Sequence, residues 1–343
     1  MRAERDWTNA TVKATRDVAD GIREILLAPE GGATSFPTGS HLAVRVLVDG
    51  KSDLRHYSVV GDEPFSGCWR IAVKLEQPGR GGSQYMWTLQ PGARLEVATP
   101  DTHFELSRDV TDVLLIAGGI GITPMVGMAQ ALMRRGAQVR LCYAARTRAH
   151  MAFVDELQPL LGDRLALFDA AEGQMMNLAQ EFAKLSPHGE VYICGPIGLL
   201  EAARKAWADT GRPRTGLVYE TFGSSGRFAS EPFTVKVPRF GIETIVPENS
   251  SLLEALTAAG VDVLYDCKRG ECGLCVVDIV EAKGTIDHRD VFFSDHQHDA
   301  NTQLCTCVSR VAGGGSISVD PPYRGDSPLL SGPEIQKMAA TAD

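Results

Sequence analysis

The sequence predicts a multidomain α/β plus β chain: an antiparallel β-barrel, a doubly wound α/β domain and a small C-terminal unit built largely of strands. Three observations predict it. The 343 residues exceed what a single domain usually holds. At Asp112 the texture changes from short β-branched runs, punctuated by Gly and Pro, to alternating strand and helix. Five of the eight cysteines fall between Cys267 and Cys307, in a separate section that follows a Gly/Ser stretch. The expected boundaries are 1–108 for the barrel, 109–223 for the α/β domain, 224–231 for a linker, 232–325 for the cysteine-bearing unit and 326–343 for a tail.

In the first section, Leu42–Val48 is rich in β-branched residues and ends at Asp49-Gly50, a hairpin turn signal. Trp69–Leu75 and Arg94–Val97 read as further strands, and several short strands of this kind predict a barrel. In the second section, Val113–Ala117 is continuously apolar, as expected of a strand covered on both faces. A helical pattern runs from there to Met133. Strands at Val139–Ala144, Leu165–Phe168 and Glu190–Cys194 then alternate with helices at Ala152–Leu161, Leu178–Lys184 and Leu199–Ala208. That alternation predicts a parallel sheet. After Gly223-Ser224-Ser225-Gly226, Phe233–Val237 and Glu243–Pro247 predict a hairpin, and Ser250 is expected to cap a helix ending at Gly260.

Apolar residues make up 44% and charged residues 22%, too apolar for a disordered chain. The net charge of −9 argues against a general nucleic-acid binder, which needs a basic face, and against docking on an anionic membrane. Val113–Met133 carries no charge and is long enough to span a bilayer, but Gly118-Gly119-Ile120-Gly121 and Pro124 break it. A strand, a tight turn and a helix explain it better. No secretory signal is visible at the N-terminus, and the scattered Cys68, Cys142 and Cys194 do not suggest a secreted disulfide set. A reducing cytoplasm is therefore expected.

Cys267-x4-Cys272-x2-Cys275, followed by a distant Cys305 or Cys307, has the spacing of a plant-type [2Fe–2S] site. Thiolates must converge on a compact cluster from one loop, so small residues are needed where backbone nears inorganic sulfide. Gly270 and Gly273 supply them. Structural zinc usually takes two short Cys/His pairs, and buried inert cysteines would not bunch in a Lys/Arg/Glu/Gly-rich loop. Cys305 and Cys307 would share one face of a strand, and spacing alone leans to Cys305.

Gly118-Gly119-Ile120-Gly121-Ile122-Thr123-Pro124 joins a buried strand to a helix, which suits a pyrophosphate against backbone N–H groups. The third Gly of the dinucleotide fingerprint is missing, so a plain tight turn stays open. Cys194-Gly195-Pro196 ends another strand, where ligands of open α/β sheets bind. Cys194 reads as a pocket-lining residue, a buried cysteine or, with no nearby His in sequence, least readily as a catalytic thiol. In the barrel, Arg55-His56-Tyr57-Ser58 offers a phosphate clamp, an aromatic face and a hydroxyl that could meet a flavin N5. Gly79-Arg80-Gly81-Gly82-Ser83 offers a phosphate loop. Each could also be an ordinary strand or turn.

Taken in order, these motifs, with Glu220-Thr221-Phe222-Gly223 and His288-Arg289-Asp290, resemble the phthalate dioxygenase reductase and vanillate demethylase reductase family over about Ala10–Asp320. The resemblance implies FMN, NADH and a [2Fe–2S] cluster in a C-terminal β-grasp ferredoxin domain. Its partner would be a Rieske non-haem iron oxygenase, electrons passing from NADH to FMN, to the cluster and onward. It implies that Arg55, His56, Tyr57, Ser58, Val73, Lys74, Arg80, Gly81, Gly82 and Ser83 hold FMN. Gly118, Gly119, Gly121, Pro124, Cys194, Gly195 and Pro196 would serve the nucleotide. Thr123 would touch both cofactors, Phe222 would stack on the flavin, and Ser58, Thr123, Cys194 and Phe222 would stand at the reacting centre. The ligands would be Cys267, Cys272, Cys275 and Cys307, the last because Cys307-Val308-Ser309-Arg310 matches a recurring family ending.

The chain departs from the family at Asp266, where Ser is frequent, and Asp169–Gly173 only loosely resembles the family's acidic stretch. A carboxylate at 266 is expected to lower the cluster potential. His288, His296 and His298, set among Asp and Arg, are expected in a solvated loop rather than a metal site.

Overall fold

The computed structural model describes residues 6–77, 79–102, 104–222, 226 and 228–322. Gly223, Ser224, Ser225 and Arg227 at the expected linker and the expected tail at 326–343 lie outside the described residues. The chain forms two compact units, one ending at Thr221 and one beginning at Phe222.

The first unit opens with strands β1 (Trp7–Ala19), β2 (Ile22–Pro29), β3 (His41–Val48), β4 (Lys51–Ser58) and β5 (Trp69–Lys74), helix α1 (Gly82–Thr88) and strand β6 (Arg94–Ala98). The sheet order is β4-β3-β6-β1-β2-β5, antiparallel throughout. Its two edges meet where Val59 bridges Ile71 and Val60 N–H donates to Arg70 O at 2.8 Å, closing a barrel. Period-2 burial explains β3: Leu42, Val44 and Val46 are fully buried, while Arg45 and Leu47 face water. Asp49 and Gly50 take φ of 50° and 75°, and Val48 pairs with Lys51, as a two-residue hairpin loop requires.

The chain continues through β7 (Asp112–Gly118), a 3-10 turn (Gly119–Gly121), α2 (Ile122–Arg134), β8 (Gln138–Ala145), α3 (Val154–Leu161), β9 (Leu165–Asp169), α4 (Leu178–Ala183), β10 (Glu190–Cys194), α5 (Ile197–Asp209) and β11 (Leu217–Glu220). All pairings are parallel, in the order β11-β10-β7-β8-β9. From β7 the chain winds outward to β9, then returns to start the other way at β10. The boundary between β7 and β10 is thus a topological switch point, where such sheets bind ligands. Val113 to Ala117 are all fully buried, as their unbroken apolar run requires. Helix α3 starts at Val154 rather than Ala152, because Phe153 is left-handed (φ 61°) and Ala152 N–H donates to the Tyr143 hydroxyl instead.

Barrel and α/β section pack closely within this unit. A Cβ on Gly127 would lie 2.2 Å from Gly61 O, so α2 can approach the loop after β4 only as glycine. Buried Arg70 of β5 bridges Glu24 of β2 and Glu156 of α3, at 2.7 and 2.8 Å.

The second unit contains β12 (Phe233–Val237), β13 (Ile242–Val246), α6 (Leu252–Ala258), β14 (Val276–Lys283), β15 (Ile286–Asp287), α7 (Asp295–Ala300), β16 (Gln303–Cys305), β17 (Arg310–Val311) and β18 (Ser316–Asp320). A hairpin, a helix and a central strand parallel to β12 give the β-grasp order β13-β12-β18-β14-β16. Val235, Val246, Leu256, Val277 and Val319 form its core with the cluster-side cysteines. Ser251, not Ser250, caps α6. Only from Ser251 does a glutamate fall at the third helical position, where Glu254 N–H donates to Ser251 Oγ (3.2 Å) and Ser251 N–H to Glu254 Oε2 (2.8 Å).

The histidine segment departs most from expectation. Its later part, with His296 and His298, is a short capped helix, and the side chains of His288 and His298 are only 8% and 17% exposed. Two imidazoles turned onto the fully buried Asp290 account for this, so a solvated loop is the wrong description of both.

Among the described residues, no helix is long and apolar enough to cross a membrane.

Candidate functional site

On β4 the Arg55 guanidinium donates to Arg80 O at 2.9 Å, and also binds Asp53. It therefore clamps the Gly79–Ser83 loop from beneath. A Cβ on Gly82 would sit 2.5 Å from Arg55 Nε, and one on Gly81 (φ 75°) would sit 2.6 Å from Val48 Cγ1. Both glycines are demanded by the packing. Ser83 Oγ accepts from Glu76 N–H at 3.1 Å, stapling the loop across its base. Tyr57 is half-buried, and burial pushes its phenol up, so it stays neutral. Ser58 Oγ is buried with no hydrogen-bond partner among the described residues. Such an orphan is costly unless a ligand meets it. Val73 of β5 is buried and its carbonyl is taken by Trp87 Nε1, whereas Lys74 is exposed and paired with Glu76. His56 packs edge-on against His41, ring centroids 5.1 Å apart. An unpartnered hydroxyl beside a glycine cradle and an anchored arginine fits a flavin mononucleotide.

At the switch point, the turn after β7 meets the end of β10. Ala117 pairs with Cys194. A Cβ on Gly121 would lie 2.1 Å from Cys194 O, one on Gly118 would lie 2.6 Å from Pro196 Cδ, and one on Gly195 would lie 3.1 Å from Gly118 Cα. Gly119 holds φ 55°. Gly118 and Gly121 of the first run therefore meet Cys194, Gly195 and Pro196 of the second, and glycine is what permits the contact. Thr123 is buried, its hydroxyl donating to Ile120 O at 3.0 Å, and Pro124 occupies the first turn of α2. Cys194 is buried. Phe222, half-buried, is the first residue of the second unit.

In the second unit the cysteine loop runs between α6 and β14. Lys268, Gly270 and Gly273 hold positive φ (52°, 77°, 71°). A Cβ on Gly270 would meet Val308 Cγ2 at 2.7 Å, and one on Gly273 the Phe292 ring at 2.3 Å. Cys267 and Cys275 are buried, while Cys272 is exposed. Arg269 N–H donates to Cys267 Sγ at 3.4 Å. Hydrogen bonds from Cys272 and Cys307 hold the Cys267 thiol well below its usual range. Those from Cys305 and Cys307 likewise lower the Cys275 thiol. Convergent thiols with low-pKa members, offering backbone N–H groups, fit an iron–sulfur cluster.

Sequence reasoning missed the scaffold behind this loop. Thr306, fully buried, donates both N–H and Oγ–H to Cys275 O, at 3.1 and 2.9 Å. Arg310 binds the carbonyls of Glu231 and Pro247 at 3.0 and 2.8 Å. Buried Arg289 pairs with Asp287 at 2.7 Å. The available signal was the charge density of 287–290, unusual for residues that turn out to be buried.

A barrel, a doubly wound domain with its glycines at the switch point and a β-grasp unit with a thiol loop define the class of flavin- and pyridine-nucleotide-dependent iron–sulfur oxidoreductases. Family models agree section by section: an oxidoreductase FAD-binding domain over residues 10–106, an oxidoreductase NAD-binding domain over 115–205 and a 2Fe-2S iron-sulfur cluster binding domain over 235–312. The chain is 35% identical to the phthalate dioxygenase reductase of Burkholderia cepacia, over 83% of this chain and 88% of that one. It is 34% identical to the carnitine monooxygenase reductase subunit of Escherichia coli (strain K12), over 85% and 91%. A solved phthalate dioxygenase reductase, described as a modular structure for electron transfer from pyridine nucleotides to [2Fe–2S], superposes with a TM-score of 0.72 at 31% identity, covering 92% of this chain and 98% of that one. An intact type IV self-sufficient cytochrome P450 monooxygenase gives 0.63 at 32%. The match covers 91% of this chain but 41% of that longer chain.

The chain belongs to the phthalate dioxygenase reductase family of oxygenase reductase subunits. It is an NADH-dependent flavin iron–sulfur oxidoreductase, and its cofactors are FMN, NADH and a [2Fe–2S] cluster. The flavin-domain model carries the name of FAD. The order flavin, nicotinamide, cluster is that of the family whose flavin is FMN.

Proposed function

We propose that this chain reduces a Rieske non-haem iron oxygenase acting on a small aromatic or quaternary-amine substrate, and that it does so in the cytoplasm. The observation that carries this reading is the order of the three sites, ending in a thiol loop whose Cys272 is open to solvent. Relatives named for phthalate and carnitine oxygenase systems support it. The domain limits 1–108, 109–223 and 232–325 belong to the same proposal.

FMN, when bound, converts a two-electron hydride donor into single electrons. The chain's own residues align and shield. Arg55 and the Gly81–Ser83 loop hold the phosphate end, with Arg80, His56, Val73 and Lys74 around the flavin. Tyr57 would flank the ring, and Ser58 would offer it a hydroxyl that has no hydrogen-bond partner among the described residues. Gly118, Gly119, Gly121, Pro124 and Cys194–Pro196 receive NADH at the switch point, with Cys194 lining the pocket. Thr123 would stand at the junction of the flavin and nicotinamide sites. No residue is asked to act as a general acid or base. Cys267, Cys272, Cys275 and Cys307 would hold the cluster, Cys307 being preferred because Cys307-Val308-Ser309-Arg310 matches the recurring family ending.

The test is NADH-dependent turnover reconstituted with purified oxygenases. Product formed with a Rieske oxygenase supports the reading. Turnover with a cytochrome P450 and none with any Rieske partner would replace it with the second reading, which the match to the self-sufficient P450 monooxygenase favours.

A further inference from the structure

We propose that His288, Asp290 and His298 form a binding site for one divalent first-row transition ion, zinc above all, separate from the four cluster cysteines. The candidate ligand atoms of the three residues lie within 4.8 Å of one another. Asp290 has no side-chain exposure. Its Oδ2 is 3.0 Å from His298 Nε2, and its Oδ1 is 3.8 Å from His288 Nδ1. The two imidazoles stack at 4.5 Å, inclined by 21°.

The chemistry of His288 points to a missing cation. Its side chain is 8% exposed. Its Nε2 is 3.0 Å from Asn301 Oδ1, an acceptor, so Nε2 carries the proton and a neutral ring keeps its lone pair on Nδ1. Nδ1 is buried and has no hydrogen-bond partner among the described residues. At 3.8 Å the contact with Asp290 is too long to be one. A lone pair thus faces a buried carboxylate, an arrangement that a metal ion between them turns from repulsion into coordination.

The surroundings are those of a ligand held for metal. Asp290 accepts from Ser309 Oγ at 3.3 Å and Phe293 N–H at 3.0 Å, and its ion-pair partners among the described residues are the two imidazoles. Asn301 orients His288 in the same way. Two imidazole nitrogens and one carboxylate suit zinc and its neighbours in the first row, leaving a fourth position for water on the more open His298 side.

The site braces the cluster loop from behind. Val291 N–H donates to Gly270 O at 3.0 Å, and a Cβ on Gly270 would meet Asp290 Cα at 2.8 Å. An ion there would tie α7 to that loop without touching a cysteine.

The experiment uses untagged, full-length protein carrying its flavin and cluster. It is equilibrated with zinc chloride, freed of excess by gel filtration, and analysed for zinc and iron per chain. About one zinc is expected in addition to the cluster iron. The double variant His288→Ala/His298→Ala should lose at least tenfold in zinc retention, with iron and visible spectrum unchanged. His296→Ala, altering an exposed neighbour, should keep its zinc. If the double variant loses iron as well, the single His298→Gln variant decides: zinc lost with iron kept supports the site. Equal zinc in wild type and variants, or none retained by the wild type at micromolar zinc, overturns it.

Discussion

The nicotinamide end and the iron–sulfur end of this chain are built from opposite materials. At the switch point, glycines do the work: Gly118, Gly121 and Gly195 let two strand ends approach to within van der Waals contact. At the cluster end, side chains do it. Sulfurs converge from a loop and a strand end, and buried Thr306, Ser309 and Asp290 hold that geometry from behind. A site for a cofactor that must come and go is made of backbone shape. A site for a cofactor that stays is made of covalent ligands and a polar scaffold. Mutations should therefore fail differently at the two ends.

The largest effect is expected at the thiols. Cys275→Ser or Cys307→Ser should abolish the cluster, read as iron content and visible absorbance, while bound flavin remains. Cys305→Ser should keep the cluster. Loss on changing Cys305 alone would transfer the fourth ligand to it.

Next comes the switch point. Gly121→Ala places a methyl 2.1 Å from Cys194 O, so one strand end must move by about an ångström. The rate of flavin reduction by NADH should fall by about a hundredfold in anaerobic stopped flow, with flavin and iron retained. An unchanged rate would remove nicotinamide from this turn.

Removing the orphan hydroxyl by Ser58→Ala should be milder. Losing one neutral hydrogen bond, about 1 kcal/mol, slows flavin reduction roughly fivefold. A stability gain with no kinetic loss would mean that the hydroxyl is merely tolerated.

Asp290 gives a pH test of the cluster scaffold. Burial alone would raise its carboxyl, but the neighbouring imidazoles of His288 and His298 and the Phe293 N–H hold it below the usual 3.8. A depressed carboxylate adds stability above the unfolded value, and that stability is lost as pH falls through the folded value. Asp290→Asn should therefore lower Tm at pH 7, by the equivalent of about 2 kcal/mol, and the gap should close below about pH 4. A gap that persists in acid would assign the loss to packing.

Asp266→Ser should matter least. Asp266 is exposed, so its charge is screened, and the cluster potential should rise by less than about 40 mV in a redox titration. A larger rise would show the carboxylate acting on the cluster through a drier path.

The architecture was legible because each section has its own period. A β-branched run ending in Asp-Gly gave β3, an unbroken apolar run gave β7, and the x4, x2 cysteine spacing gave the loop. The nucleotide glycines were legible as a motif, but not their contact with Cys194, which depends on β10 lying beside β7 rather than beside β9. Helix α1 and strand β11 are too short to carry a period and were not read. The buried ion pairs and histidines of 287–298 were hidden because a charged run looks solvated until its partners are known. Sequence cannot show that Arg289 finds Asp287, or that His298 turns inward to Asp290.

The most direct test of the electron path is anaerobic rapid mixing of the purified holoprotein with NADH, following flavin and cluster absorbance separately in wild type and Cys307→Ser. The predicted result is flavin bleaching followed by cluster bleaching in the wild type, and flavin bleaching alone in the variant. Cluster bleaching that precedes the flavin, or a spectrum that NADH leaves unchanged, would contradict it.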